Sequence, residues 1–361
     1  MNLSEPQTTT PFNEGHPRSV APEIIATSPG LRVVAIGGGT GLSTLLRGLC
    51  RHVNAPGAKA SEIGQIADLA AVVTVTDDGG SSGRLRKEFN MLPPGDLRNC
   101  MVALSAEGDL LAKLFAHRFR SGDGLEGHSF GNLFVAALTE ITGDFGQAIQ
   151  LASKILAVRG RIYPVTTANA TLVARMDDGS LVRGETNITA SRLRIAELMI
   201  EPETAAALPE TLDAIEKADL ITVGPGSLYT SLITNLLVQG IPAALAHAKG
   251  VRVYVCNLMT QANESLGLTA SEHIKRIYEH TREPIFDYAL VNIAPFSAET
   301  LERYAAEKAS PIVADIERIE AMGVRCIAGN FASEDKVVRH AAERVTGALL
   351  ALGQAAIANR R

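Results

Sequence analysis

Two periodicities alternate along this chain. Residues 31–36 form a short apolar run, interrupted only by Arg32, that stops at glycines, and Leu42, Leu45, Leu46 and Leu49 then recur at helical spacing through residue 53. Residues 68–75 are nearly all Leu, Ala and Val, the pattern of a strand buried on both faces of a parallel sheet. Helical patterns follow over 96–104, 110–119, 130–141 and 145–156. The rhythm then changes. Residues 171–176 and 181–185 flank Asp177-Asp178-Gly179-Ser180, a hairpin signal, and 194–200 supply a third strand. Beyond it, strands at 220–223, 252–256, 288–293, 311–314 and 325–328 alternate with helices at 210–217, 229–238, 270–280, 298–308, 316–322 and 337–351. Strands separated by such helices make βαβ units and a mostly parallel sheet. The expected fold is α/β: a Rossmann-like sheet with helices on both faces and a small antiparallel insertion at 170–200, within one domain spanning 31–351. Residues 1–30, polar and interrupted by Pro6, Pro11, Pro17, Pro22 and Pro29, read as a disordered tail, and 352–361 as a C-terminal tail.

Composition narrows the function classes. The 361 residues are 46% hydrophobic but only 4% aromatic, without Trp, so the core is aliphatic, as α/β layers require. No stretch approaches the roughly 20 consecutive apolar residues of a membrane span. A net charge of −5 and the lack of a Lys/Arg run with interleaved aromatics argue against nucleic acid as a main partner. Cys50, Cys100, Cys256 and Cys326 are dispersed and fit no zinc spacing, which points to reduced core thiols and a cytoplasmic setting.

The candidate chemistry lies where strands feed helices. Gly37-Gly38-Gly39-Thr40-Gly41-Leu42-Ser43 follows the first strand. Its glycines allow close approach to the main chain, and free N–H groups at a helix start attract anions. Gly38, Gly39, Thr40 and Gly41 are therefore expected to bind phosphate, with Ser43 as a further hydroxyl donor. The dinucleotide fingerprint fails, because Leu42 and Thr44 stand where its last glycine would be, and no Lys follows to make a P-loop. An NAD-dependent oxidoreductase is accordingly disfavoured. The run Thr76-Asp77-Asp78-Gly79-Gly80-Ser81-Ser82-Gly83-Arg84-Leu85-Arg86 follows the second strand. Asp77 and Asp78 suit a sugar hydroxyl or a hydrated Mg²⁺, and Arg84 and Arg86 suit a phosphate. In Pro93-Pro94-Gly95-Asp96-Leu97-Arg98-Asn99, Asp96 reads as a helix N-cap, while Arg98 and Asn99 occupy the first turn. Arg84, Arg86 and Arg98 are expected to make the pocket locally positive. Gly127-His128-Ser129-Phe130-Gly131-Asn132 contributes Asn132 to the ligand set, with His128 read as structural, since no carboxylate partner is visible for it. Gly224-Pro225-Gly226-Ser227-Leu228-Tyr229-Thr230-Ser231 is a second turn of the first kind, offering Gly226 and Ser227; it lacks the G-x-S-x-G of a nucleophile elbow. Asn257, closing the strand at 252–256, suits a base or sugar edge. Arg339-His340 is expected to open the last amphipathic helix. No acid, base or nucleophile can be assigned from this set.

Taken in order, GGGTGLS, DDGGSSGRLR, PPGDLRN, GHSFGN, GPGSLYTS and VYVCNLMTQ resemble the YvcK-type gluconeogenesis factors, relatives of 2-phospho-L-lactate transferase in the CofD superfamily. The resemblance covers residues 31 to about 350. It implies a CofD-like domain binding UDP-N-acetylglucosamine or UDP-glucose at the carboxyl edge of the sheet, a regulatory role in cell-wall precursor supply and cell shape, a homodimer, and a protein partner in that metabolism. It also implies that Arg339, matching the arginine of a C-terminal Arg-His-Asp segment, contacts the UDP-sugar. The chain departs from the family pattern at Ala341 (in place of the aspartate), at Thr234 (in place of a proline before Asn235) and at Ala262-Asn263 (in place of Pro-Gly). No cofactor is required by this reading beyond a possible Mg²⁺ on Asp77 and Asp78. The competing reading is a Mg²⁺-dependent CofD-like transferase that moves a phospho-lactyl-type group from a nucleotide donor.

Overall fold

The computed structural model describes residues 30–54, 65–105, 110–262 and 264–359, so nearly all of the expected N-terminal tail lies outside the described residues. Strands β1 (Leu31–Gly37), β2 (Ile66–Val73), β3 (Arg161–Pro164), β4 (Thr171–Met176), β5 (Leu181–Arg183), β6 (Ile195–Glu201), β7 (Leu220–Val223), β8 (Val251–Val255), β9 (Tyr288–Asn292) and β10 (Arg325–Gly329) are followed by a short pair, β11 (Ala332–Glu334) and β12 (Val338–His340). Seven of them form a parallel sheet in the order β10-β9-β8-β7-β1-β2-β3. Consecutive residues along β1, β2 and β7 are buried regardless of the face they point to. That is why their sequences read as continuous apolar runs rather than alternations.

The order of strands sets the position of everything else. From β1 the chain builds outward through β2 to β3, then returns to the other side of β1 and builds outward again from β7 to β10. Strand order therefore reverses between β1 and β7, and helices connecting the two halves leave a crevice beyond the carboxyl ends of those strands. The insertion is a separate antiparallel sheet, β5-β4-β6, in which β4 pairs with both neighbours, as the hairpin signal and the third strand predicted.

Helices α1 (Gly39–Cys50), α2 (Gly80–Phe89), α3 (Gly95–Leu104), α4 (Leu110–Ala116), α5 (Phe130–Thr142), α6 (Phe145–Ile155) and α7 (Glu185–Ala190) fill the first half. Local patterning located α3 through α6, but not α2 or α7. The glycines and serines of α2 carry little helix propensity, so packing decides its state. Four further expectations change. The run 311–314 is no strand, and only Pro311 forms an isolated bridge, to Met259. Residues 229–238 are not one α-helix: Leu228–Ile233 is a π-helix continuing into a short α turn, Thr234–Leu236. Arg339 and His340 lie on β12, not at a helix start. The last helix is Ala342–Asn359, so residues 352–359 are helical rather than a tail. That helix packs closely on α1, where a methyl on Gly48 would stand 2.4 Å from Thr346 Oγ1. None of the four cysteines is in a disulfide, and Cys50, Cys100 and Cys256 are buried.

Candidate functional site

The crevice between β1 and β7 opens into a cavity of about 820 Å³. Both glycine turns reach it, and they touch: a Cβ on Gly41 would fall 2.4 Å from the Pro225 carbonyl oxygen. Only glycine permits this contact between two backbones. Gly39 adds a second constraint, with φ of +63°, in the left-handed region that side chains disfavour. The π-helix holds the second turn in place. Asn235 Nδ2 donates to the Gly37 carbonyl at 3.0 Å and to the Ser231 carbonyl at 2.6 Å, tying the end of β1 to the wide turn. Thr234 donates through its hydroxyl to the Tyr229 carbonyl at 2.9 Å.

Neither helix start is simply an open anion site. Asp96 does not cap its own helix; its Oδ2 accepts from Gly39 N at 2.8 Å, across to α1. Glu264 accepts from Tyr229 N at 3.2 Å and from the Thr230 hydroxyl at 3.0 Å. Each turn thus already holds one carboxylate where its helix dipole favours negative charge. What α1 still offers a ligand is Thr40 and Gly41, whose N–H groups in the first turn have no intrahelical carbonyl within reach. At the second turn, Ser227 Oγ accepts from Gln261 Nε2 at 3.1 Å, and Gly226 N approaches Asn257 Oδ1 at 3.5 Å.

Nine of the predicted ligand residues line the cavity: Gly38, Gly39, Thr40, Gly41, Asp77, Gly226, Ser227, Asn257 and Arg339. Five do not. Asp78 turns to the insertion, where its Oδ1 accepts from Thr186 N at 2.8 Å and from the Thr186 hydroxyl at 2.6 Å. Arg84 donates to the Glu126 carbonyl at 2.6 Å. Arg98 is buried, and the Asp96 charge acts in favour of its guanidinium. Asn99 reaches the Asp96 carboxylate from the same helix. Asn132 is buried and donates to Ser81 Oγ at 3.1 Å, and the same hydroxyl meets His128 Nδ1 at 2.9 Å, a structural setting for that histidine. Arg86 ties α2 to the insertion through the Ala170 carbonyl at 2.6 Å, and Ser43 Oγ donates back to the Thr40 carbonyl at 3.1 Å.

The expected positive lining from Arg84, Arg86 and Arg98 is therefore not what the cavity contains. Its cations are Arg303, Lys336 and Arg339, on the helix Ala298–Ala305 and the β11–β12 hairpin. The hairpin is clamped by that helix: Val338 N donates to Tyr304 Oη at 2.9 Å, and the Ser297 hydroxyl donates to Glu334 at 2.7 Å. His340, beside Arg339, donates from Nε2 to the Cys256 carbonyl at 3.0 Å, and burial pushes its pKa down to about 4, so it is neutral.

The opposite wall is acidic, and its strongest members, Asp96 and Glu185, were not singled out as ligand residues. Crowding by protein lifts the Asp96 carboxyl to about 6 despite the Gly39 bond, with Asp77 adding repulsion. Glu185, at the start of α7 in the insertion, is pushed up to about 9, mainly by burial and then by the charges of Asp77 and Asp96. No local pattern marks Glu185; its place is set by the docking of the insertion. The predicted Mg²⁺ pair is not assembled, because Asp77 faces the cavity while Asp78 is engaged by Thr186. Among the described residues no group of three or more His, Cys, Asp or Glu side chains is arranged to hold a metal ion.

A parallel sheet that reverses its strand order at a cavity flanked by two glycine turns is a Rossmann-like α/β protein with a switch-point site. The chain belongs to the CofD family: the family profile described as 2-phospho-L-lactate transferase CofD matches residues 33–332. It is similar to the gluconeogenesis factor of Halalkalibacterium halodurans, 46% identical over 319 residues that cover 88% of this chain and 95% of the relative. The gluconeogenesis factor of Bacillus subtilis is 44% identical over 322 residues, covering 89% and 98%. A crystal structure of a Bacillus halodurans protein, described as a member of the UPF0052 family, superposes with a TM-score of 0.84 at 45% identity over 90% of this chain and all of that one. The α/β fold and the family expected from the motifs are thus both established. No helix among the described residues is long and apolar enough to cross a membrane.

Proposed function

We propose that this protein is a regulatory binder of nucleotide sugars, of the UDP-N-acetylglucosamine or UDP-glucose kind, and that the switch-point cavity is the binding site. The observation that carries this reading is the meeting of two glycine turns from adjacent parallel strands, with the Thr40 and Gly41 amides facing a cation-bearing hairpin across the cavity. A diphosphate fits between such groups: main-chain N–H donors on one side, the Arg339 guanidinium and Lys336 ammonium on the other. Asn257 and Gln261 add amides beside Ser227, and Tyr304, Leu258 and Met259 supply apolar surface for a flat base. A cavity of this size accommodates a ligand with a base, two phosphates and a hexose. The gluconeogenesis-factor names of the relatives support this reading, under which the protein is a cytoplasmic homodimer acting on cell-wall precursor supply and cell shape.

The second reading, a CofD-like transferase, is favoured by one observation: Asp96 near 6 and Glu185 near 9 share a cavity, the separation that acid–base chemistry uses. It is the weaker reading, because the Asp96 carboxylate is committed to Gly39. Calorimetric titration with UDP-N-acetylglucosamine, UDP-glucose, a guanine nucleotide and NAD, with and without Mg²⁺, separates the readings. Heat with a UDP-sugar and no turnover is the expected result. No heat with either UDP-sugar ends the sensor reading, and product formed from guanosine diphospho-lactate and a deazaflavin acceptor establishes the transferase.

A further inference from the structure

The charges in the cavity are divided. Arg303, Lys336 and Arg339 come from the C-terminal side, where Glu307 is the one acid among them, while Asp77, Asp96 and Glu185 come from the loop after β2, the start of α3 and the insertion. A diphosphate, itself doubly negative, is held by the glycine turns and the cations, not by carboxylates. The group it carries is then directed at the acidic wall.

Within that wall, one carboxyl differs from the others. Asp77 Oδ1 accepts from Gly79 N at 2.9 Å, and Asp96 is engaged by Gly39. Glu185 faces the cavity without a side-chain hydrogen bond to any described residue. Its position is nonetheless well fixed. Gly184 precedes it with φ of +87°, and Thr186, which follows it, is bound twice by Asp78. Asp78 thus ties the insertion to the loop after β2 immediately beside a carboxyl that is left free.

We propose, resting on the nucleotide-sugar reading, that the wall of Asp77, Asp96 and Glu185 is the sugar end of the cavity, that it takes an uncharged, hydroxyl-bearing sugar in preference to a carboxylated one, and that Glu185 is the specificity-determining side chain. Sugar hydroxyls both donate and accept. They donate to the Asp77 carboxylate oxygens that line the cavity and accept from Glu185, whose buried carboxyl keeps a proton to give. A carboxylate on the sugar adds a like charge to this wall and leaves Asp77 without a donor.

The test compares UDP, UDP-glucose and UDP-glucuronate, the two sugars differing only in a hydroxymethyl group against a carboxylate. Binding is measured by calorimetry at pH 7.5 with the full chain and with Glu185→Ala and Glu185→Gln. UDP-glucuronate is expected to bind at least about tenfold more weakly than UDP-glucose. Glu185→Ala is expected to weaken UDP-glucose about tenfold and leave UDP unchanged, whereas Glu185→Gln, which keeps a donor, retains most of the affinity. Equal affinity for the two sugars overturns the proposal. So does a loss on Glu185→Ala that is the same for UDP and UDP-glucose, which marks a structural role. A preference that exists only without Mg²⁺ places a cation and the phosphates on the acidic wall, and also overturns it. Absence of binding by UDP and UDP-glucose alike is a different result, and removes the nucleotide-sugar reading itself.

Discussion

Asp96 and Glu185 are acids held above their ordinary range by the same cavity, and the sign of their effect on stability follows from that. A carboxyl whose folded pKa is raised binds its proton more tightly when folded. Its contribution is fully present below the unfolded value, about 4.3 for Glu, and is lost as pH rises through the folded value. For Glu185 that window extends up to about 9. Glu185→Gln removes the titration, so the variant gains on the parent as pH rises. Urea midpoints at pH 5, 7 and 9 are expected to show a gain of about 1–3 kcal/mol between the extremes, since partial exposure through the cavity reduces the full shift. Parallel pH profiles for parent and variant exclude Glu185 as the titrating group. Arg339, by contrast, is exposed on its hairpin and makes no ion pair among the described residues. Arg339→Ala is expected to leave the urea midpoint unchanged while weakening UDP-glucose by about tenfold or more, as loss of a charged phosphate contact requires. Unchanged affinity removes Arg339 from the site.

At the scale of elements, close approach and capping decide what substitutions do. Replacing Gly41 by Ala brings about 1 kcal/mol of helix propensity, but its methyl meets the Pro225 carbonyl oxygen at 2.4 Å, and backbone cannot move aside cheaply. The overpacking cost, about 1–3 kcal/mol, wins, so a net loss of stability and separation of the two turns are expected. Gly347, in the C-terminal helix, has nothing within 4 Å of its missing Cβ. There the same change is expected to stabilise by about 0.5–1 kcal/mol. Denaturation midpoints that shift in the same direction for both variants contradict the packing argument. Ala341 illustrates capping. Its carbonyl accepts from Val345 N at 3.0 Å, which makes it the N-cap of the helix Ala342–Asn359. The family's aspartate would stand there, with an oxygen for the first free N–H groups. Ala341→Asp is expected to stabilise by about 0.5–2 kcal/mol, read from the same midpoints. No gain would separate that aspartate from capping.

At the scale of the whole molecule, the C-terminal hairpin and the glycine turns are distant in sequence and both line the cavity. A ligand that touches both stabilises the folded state by mass action, about 2.7 kcal/mol at one hundred times its dissociation constant. The expected outcome is a rise in melting temperature with UDP-glucose that Arg339→Ala reduces at fixed ligand concentration. A rise of the same size in both proteins places the ligand away from the hairpin.

The legible part of this chain is the part whose cause is local. β7 is a four-residue run of Leu, Ile, Thr and Val, all buried, and its ends were readable to the residue. The glycine turns announce themselves because only glycine tolerates a left-handed φ or a neighbouring backbone at van der Waals distance. The parallel arrangement of β1 and β2 follows from the connections, and with it the position of Asp77 beside the first turn. What local pattern misread are side chains whose partners are far away in the chain. Asp96 looks like an N-cap until α3 is packed against α1 and Gly39 N comes within 2.8 Å. Arg84 and Arg86 look like phosphate ligands until residues 119–127 and the insertion occupy them, and Arg98 until packing buries it. The cations that do face the cavity come from Arg303, Lys336 and Arg339, in a stretch with no glycine signature.

The sequence by itself determined the class of fold, the two glycine turns and the family, because apolar periodicity and glycine stereochemistry act over a few residues. Tertiary structure alone decided the charge pattern of the cavity and placed Glu185 in it. The reversal of strand order between β1 and β7 and the docking of the insertion bring carboxylates and cations from remote segments to one crevice, and no short-range pattern encodes that meeting.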